Sequence, residues 1–146
     1  MKFPRFFAAV LLLASTGIVG ARVVRMWSDQ ELFDKSELVV LATPTTSNDT
    51  KEHGGHPNRD GQPVIGVETT FEVSAVLKGE KAIKDLILHH YRPDKMELPN
   101  APTFLAFDIK AKRTFRLFLV RQADGRYAPV AGQTDPDMSI RPVTKI

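Results

Sequence analysis

Residues 67–79, V-E-T-T-F-E-V-S-A-V-L-K-G, decide the fold. Val67, Thr69, Phe71, Val73, Ala75 and Leu77 share one parity, while Glu68, Thr70, Glu72 and Ser74 occupy the other. Alternate residues of a strand point to opposite faces, so the stretch predicts one long strand with an apolar face and a polar face. Val76 breaks the polar parity, and Lys78-Gly79 supplies a turn.

Working outward, residues 37–43 (E-L-V-V-L-A-T) are dense in aliphatic side chains and predict a buried strand, ended or placed at an edge by Pro44. Residues 45–63 are polar and glycine-rich, the composition of an exposed, mobile loop. Further upstream, Ser28-Asp29-Gln30-Glu31 is a capping box that predicts a helix over 29–35, with Asp29 at the positive end of its dipole and Trp27 packing over the first turn.

Downstream, residues 85–92 (D-L-I-L-H-H-Y-R) predict a strand ended by Pro93, with Leu86 and Leu88 on one face and Ile87 and Tyr91 on the other. Residues 94–102 read as a second loop, 103–107 as a short strand and 108–113 as a turn or bulged connection. Residues 114–122 form a strong strand with Phe115, Leu117 and Leu119 on one face. Asp124-Gly125 signals a hairpin, and 126–131 is the return strand. Phe118 and Val120 need a cover on the second face, which the tail is expected to give through Ile140 and Val143.

The fold class is therefore all-β: a small antiparallel barrel of five to six strands with a short N-terminal helix. Closure of that kind removes exposed strand edges. A chain of 146 residues is long enough for one domain with its own core, expected over residues 22–146.

Residues 1–21 read as a signal peptide. Lys2 and Arg5 precede an apolar run over 6–19 that is interrupted at Thr16-Gly17 and shorter than the ~20 residues of a membrane span. Val19-Gly20-Ala21 suits a signal peptidase, so the mature protein is expected to be secreted or periplasmic, touching a membrane only if the segment stays uncleaved. Without Lys2 and Arg5, 18 basic residues face 17 acidic ones, a balance that gives no concentrated basic charge for nucleic acid. The absence of cysteine excludes a lipidated cysteine, disulfides and thiolate metal ligands.

The sequence buried strand, long loop, F-E-V-S-A-V-L-K-G, L-I-L strand, T-F-R-L-F-L-V and D-G-R-Y-A-P-V resembles the netrin-like and tissue-inhibitor-of-metalloproteinase-like modules, over residues 36–131. It is also similar to small exported bacterial proteins of the same shape. The resemblance implies an OB-type barrel. The inhibitors of that group coordinate the protease metal through an amino-terminal cysteine, which this chain lacks, so the resemblance does not extend to inhibition.

Four residues stand out as candidate binding groups. His53, His56 and Asp60 could supply three ligands to zinc or copper, and His89 could join them. The Gly54-Gly55 spacer leaves the loop ligands unheld, so neither a metal nor another cofactor is expected. His89 and His90 are strand neighbours on opposite faces and cannot share one metal; a buried, hydrogen-bonded histidine beside Leu88 is the expectation. No serine sits in a nucleophile-elbow context, and no phosphate-binding glycine motif is present. Lys110, Lys112, Arg113, Arg116 and Arg121 form a basic cluster near Phe115 and Phe118, read as a solvated turn. Asn48-Asp49-Thr50 fits a glycosylation sequon.

The resulting functional expectation is an exported, non-catalytic module that binds an unknown protein or small ligand. The alternatives are a metal-dependent enzyme using His53, His56 and Asp60, with or without His89, and an exported polyanion binder using the basic turn.

The signal segment generates the first test. Amino-terminal mass mapping of the exported protein should show loss of the first 21 residues and a start at Arg22. Intact Met1 in a membrane fraction would contradict it.

Overall fold

The computed structural model describes residues 24–144; the expected signal segment lies outside the described residues. The helix α1 (Asp29–Lys35) forms where the capping box predicts it. The Ser28 hydroxyl accepts from the Glu31 N–H, and the Glu31 carboxylate accepts from the Ser28 N–H at 2.9 Å. Six strands follow: β1 (Leu38–His56), β2 (Arg59–Lys78), β3 (Asp85–Pro93), β4 (Phe115–Arg121), β5 (Tyr127–Pro129) and β6 (Ile140–Pro142). Among the described residues no helix is long and apolar enough to cross a membrane.

The strands form one mixed sheet in the order β1-β2-β3-β5-β4-β6, and β1 also pairs with β4. The pairings β1–β2, β2–β3, β3–β5, β5–β4 and β4–β1 thus return to their starting strand. A cycle with an odd number of strands cannot alternate direction all the way round. One contact must be parallel, and it is β3–β5, through the single pair Leu88↔Tyr127. This corrects the expectation of a purely antiparallel set.

The main core gathers Leu38, Val40, Ala42, Phe71, Leu86, Leu88, Leu117, Leu119, Tyr127 and Ile140. Phe71 is its aromatic hub, edge-to-face with Phe107 at 5.1 Å and Phe115 at 6.5 Å. The parity of β2 holds from Val67 to Val73 and then shifts. Val40 pairs with Val76 but Ala42 pairs with Val73, so two residues of β1 face three of β2. This bulge turns Val76 toward the core and leaves Leu77 43% exposed, against the expected inward Leu77.

Three further expectations are corrected. Residues 45–63 are not an irregular loop: β1 runs through Pro44 to His56 and β2 starts at Arg59, making a long hairpin. Backbone pairing does not require apolar side chains on an edge strand, and the three threonines 45, 46 and 50 suit β geometry. The partner stretch supplies the buried side through Gln62, Val64 and Ile65. Gln62 bonds the Met96 carbonyl and the Leu98 N–H, while Arg92 grips Asp49 through two bonds of 2.8 and 2.5 Å, so the hairpin is held from both sides.

Residues 103–107 join no ladder. Flanked by Pro99 and Pro102, the segment serves instead to carry Phe107 against Phe71, Phe115 and His90. Phe118 packs on Leu32 of α1 with Val39, Trp27, Val130 and Ala131, and the tail covers it through the Arg141 guanidinium over its ring rather than through Ile140 or Val143. Ile140 enters the main core on the Leu117 side, because β6 pairs with β4 from Phe115 to Leu117.

The packing gives a direct test of β2 parity. Phe71 is fully buried and Glu72 exposed. Phe71→Ala should cost roughly 3–5 kcal/mol through the cavity it leaves. Glu72→Ala should stay within about 0.5 kcal/mol. Denaturant melts compare them, and equal losses would contradict this core.

Candidate functional site

The long hairpin brings one of its carboxylates over β2 to β3. Between the pairs Asp49↔Val67 and His53↔Ile65, β1 has three residues where β2 has only Gly66. A Cβ on Gly66 would lie 2.6 Å from both the Glu52 Oε2 and the Thr50 Oγ1, so only glycine lets this bulge lie down on β2. Glu52 thereby reaches His89, accepting from its Nε2 at 2.8 Å.

His89 lies on the outer face of β3, opposite Glu68 of β2, yet only 3% of it is exposed. Its Nδ1 meets the Gln122 side chain at 3.1 Å, so both ring nitrogens are engaged. Arg126, just after the β4–β5 turn, bonds Asp124 at 2.7 and 2.8 Å and Glu68 at 3.1 Å, with Glu52 at 3.6 Å. Burial disfavours the Arg126 charge, but Asp124, Glu68 and Glu52 outweigh it and hold the guanidinium pKa above its ordinary value. The same Arg126 bond holds the Asp124 carboxyl below its ordinary range. Gln133 extends the network: its Nε2 donates to the His89 carbonyl at 2.8 Å, and its own carbonyl lies 3.0 Å from the His56 Nε2. The Asn58 N–H donates to the His56 Nδ1, so Nε2 carries the proton given to Gln133.

The four expected site residues are therefore placed apart in role. His56 is buried at the hairpin tip, edge-on to Tyr91 and Phe104. His53 is exposed with Asp94 4.0 Å away, Asp60 is exposed, and His89 is locked between Glu52 and Gln122. Among the described residues no three His, Asp or Glu side chains form a metal-ligand group. The expected basic cluster is also divided. Lys112 and Arg113 line one surface groove with Pro142 and Val143, Arg116 another with Phe33 and Phe118, and Arg121 a third beside β3.

Sequence reasoning missed Glu52, Glu68, Gln122, Asp124 and Arg126. The D-G-R turn at Asp124 carried a partial signal, since an arginine two residues after a turn aspartate can fold back on it. Glu52 carried none, because its role depends on the bulge over Gly66.

Beside this network lies a cleft of about 530 Å³ between β3 and the β4–β5 turn. Ile83, Leu86, Ile87 and Tyr127 give it an apolar floor, with Ile87 40% exposed. Glu80, Asp85, Asp124, Arg121 and Arg126 stand around it. The polar network can position groups but offers no unengaged proton acceptor at His89, whereas the cleft can hold an apolar group between charges.

Comparison with protein-family models finds no match. Comparison with curated proteins finds no similar sequence.

β3 also turns His90 inward, where it is 2% exposed and edge-on to Phe107. Its Nε2 meets the Thr69 hydroxyl at 2.9 Å, and its Nδ1 is buried without a hydrogen-bond partner among the described residues. Burial, with the neighbouring His89 adding to it, lowers the His90 pKa from 6.5 to about 4. The folded value lies below the unfolded one, so the neutral ring's contribution is complete above about pH 6.5 and is lost as pH falls toward 4. The difference corresponds to roughly 3 kcal/mol. Urea melts at pH 7.5 and 4 should show wild type losing about that much more stability than His90→Gln. Parallel losses would mean His90 does not couple folding to pH.

Proposed function

We propose that the protein is an exported, non-catalytic binding module built on an OB-like barrel, whose ligand occupies the cleft between β3 and the β4–β5 turn. The barrel reading rests on the cyclic order β1-β2-β3-β5-β4-β1 with its one parallel contact. In OB-type barrels the outer face of strands 2 and 3, between the 1–2 and 4–5 loops, takes ligands. The resemblance to netrin-like modules points the same way. Export rests on the residue pattern of 1–21.

The observation that carries the binding reading is a contrast in side-chain engagement. The polar side chains of His89, Glu52, Glu68, Asp124 and Arg126 are spent on one another. Next to them, an exposed isoleucine on an apolar floor is flanked by charges with no side-chain partner among the described residues: Glu80, Asp85 and Arg121. A paired network beside a shaped, unpaired cleft fits a rigid binding surface better than a proton-transfer centre.

A ligand-observed NMR screen of small molecules and short peptides against the purified protein tests this. Ile87→Asp should abolish binding of the hits with little change in melting temperature, since Ile87 is partly exposed. Val143→Asp, on a distant exposed position, should leave them bound. Hits indifferent to Ile87→Asp would refute the cleft, and hits consumed over time would refute the non-catalytic reading.

A further inference from the structure

We propose that the ligand of this cleft is an extended peptide bearing a free carboxylate and a cationic group, added as a short strand to the edge of β3. The inference rests on the cleft reading above and adds the ligand's chemical class.

The backbone supplies the first reason. On the β2 side, every residue of β3 from Asp85 to Pro93 has a ladder partner. On the other edge the single ladder pair is Leu88↔Tyr127, so residues 85–87 have none there. The Val73 N–H donates to the Lys84 carbonyl at 2.7 Å, which sets the alternation: Lys84, Leu86 and Leu88 bond toward β2, so the parallel pair Leu88↔Tyr127 takes the Ile87 carbonyl, and the N–H and C=O of Asp85 and the N–H of Ile87 point the other way. That way lies the cleft, which Asp85, Leu86 and Ile87 all line. Three strand residues span about 10 Å, enough for a matching run of three in a peptide.

Charge supplies the second. Of the five ionic groups around the cleft, Asp124 and Arg126 are paired at 2.7 Å. What remains is one guanidinium, Arg121, and two carboxylates, Glu80 and Asp85. A carboxylate on the ligand would match the fork of Arg121, and an ammonium or guanidinium would match the acids. A nucleic-acid strand fits poorly, because Glu52, Glu68 and Asp124 place further acidic groups beside the cleft against its phosphates. The floor of Ile83, Ile87 and Tyr127 would receive an apolar side chain between the two charged ends.

The probes are N-acetylated lysyl-valyl-leucine as the free acid and the same tripeptide as its carboxamide, titrated to millimolar concentration into isotopically labelled protein. The acid should shift the amide resonances of residues 85–87 and 121–127 and bind at least tenfold more tightly than the carboxamide. Arg121→Gln should bring the acid down to the carboxamide's affinity and leave the carboxamide unchanged. Asp85→Asn should weaken both. Equal affinity of acid and carboxamide for the wild type, no binding of either, or shifts confined to other regions would overturn the proposal. Screen hits that lack a carboxylate yet are lost in Ile87→Asp would overturn it while leaving the cleft as a binding site; no ligand sensitive to Ile87→Asp would remove both.

Discussion

The structure depends on the pairing of β2 along both of its edges. β1 follows it from Lys78 back to Arg59, and β3 follows it from Val64 to Glu72. A buried backbone N–H or C=O without a partner is costly, so a central strand of this length fixes the course of its neighbours. β1 must remain extended through Pro44 and the polar run after it, because β2 is already laid out beside it. At the bulge over Gly66 β1 has three residues against one of β2, and there Glu52 comes down on His89.

A second constraint follows from counting strands. With β1 paired to both β2 and β4, five strands return on themselves and one contact has to be parallel. Parallel strands cannot share a tight turn, so β3 and β5 come together only after the chain has crossed residues 94–113 and built β4. Their contact is one pair long. The cleft is the consequence: on this edge β3 has its one ladder pair at Leu88, and the stretch before that pair is open. The same crossing carries Phe107 into the core against Phe71, closing the interior behind the open edge.

Histidine placement shows how one strand serves two purposes. His89 and His90 are adjacent, so the pleat sends one outward to Glu52 and Gln122 and the other inward to Thr69 and Phe107. The outward ring gathers β1, β3 and the β4–β5 turn into one polar network. The inward ring is held neutral by its apolar surroundings, with the Thr69 hydroxyl bonded in turn to Ser47 at 2.8 Å.

Local chemistry was legible in the sequence. The capping box placed α1 residue for residue, Pro93 ended β3, and the alternation around Phe71 identified the buried face of β2 up to Val73. Each depends on groups within a few residues of one another, where periodicity and capping act directly. What the sequence did not reveal depends on a distant partner. Residues 45–56 look like a loop because their own side chains bury almost nothing, and they become a strand through the backbone groups of β2. Leu77 lost its inward place to Val76 because a bulge shifted the register. His53, His56, Asp60 and His89 could be named from their chemistry, but their separation, and the joining of Glu52, Glu68 and Arg126 around His89, were decided only when strands far apart in sequence were hydrogen-bonded side by side.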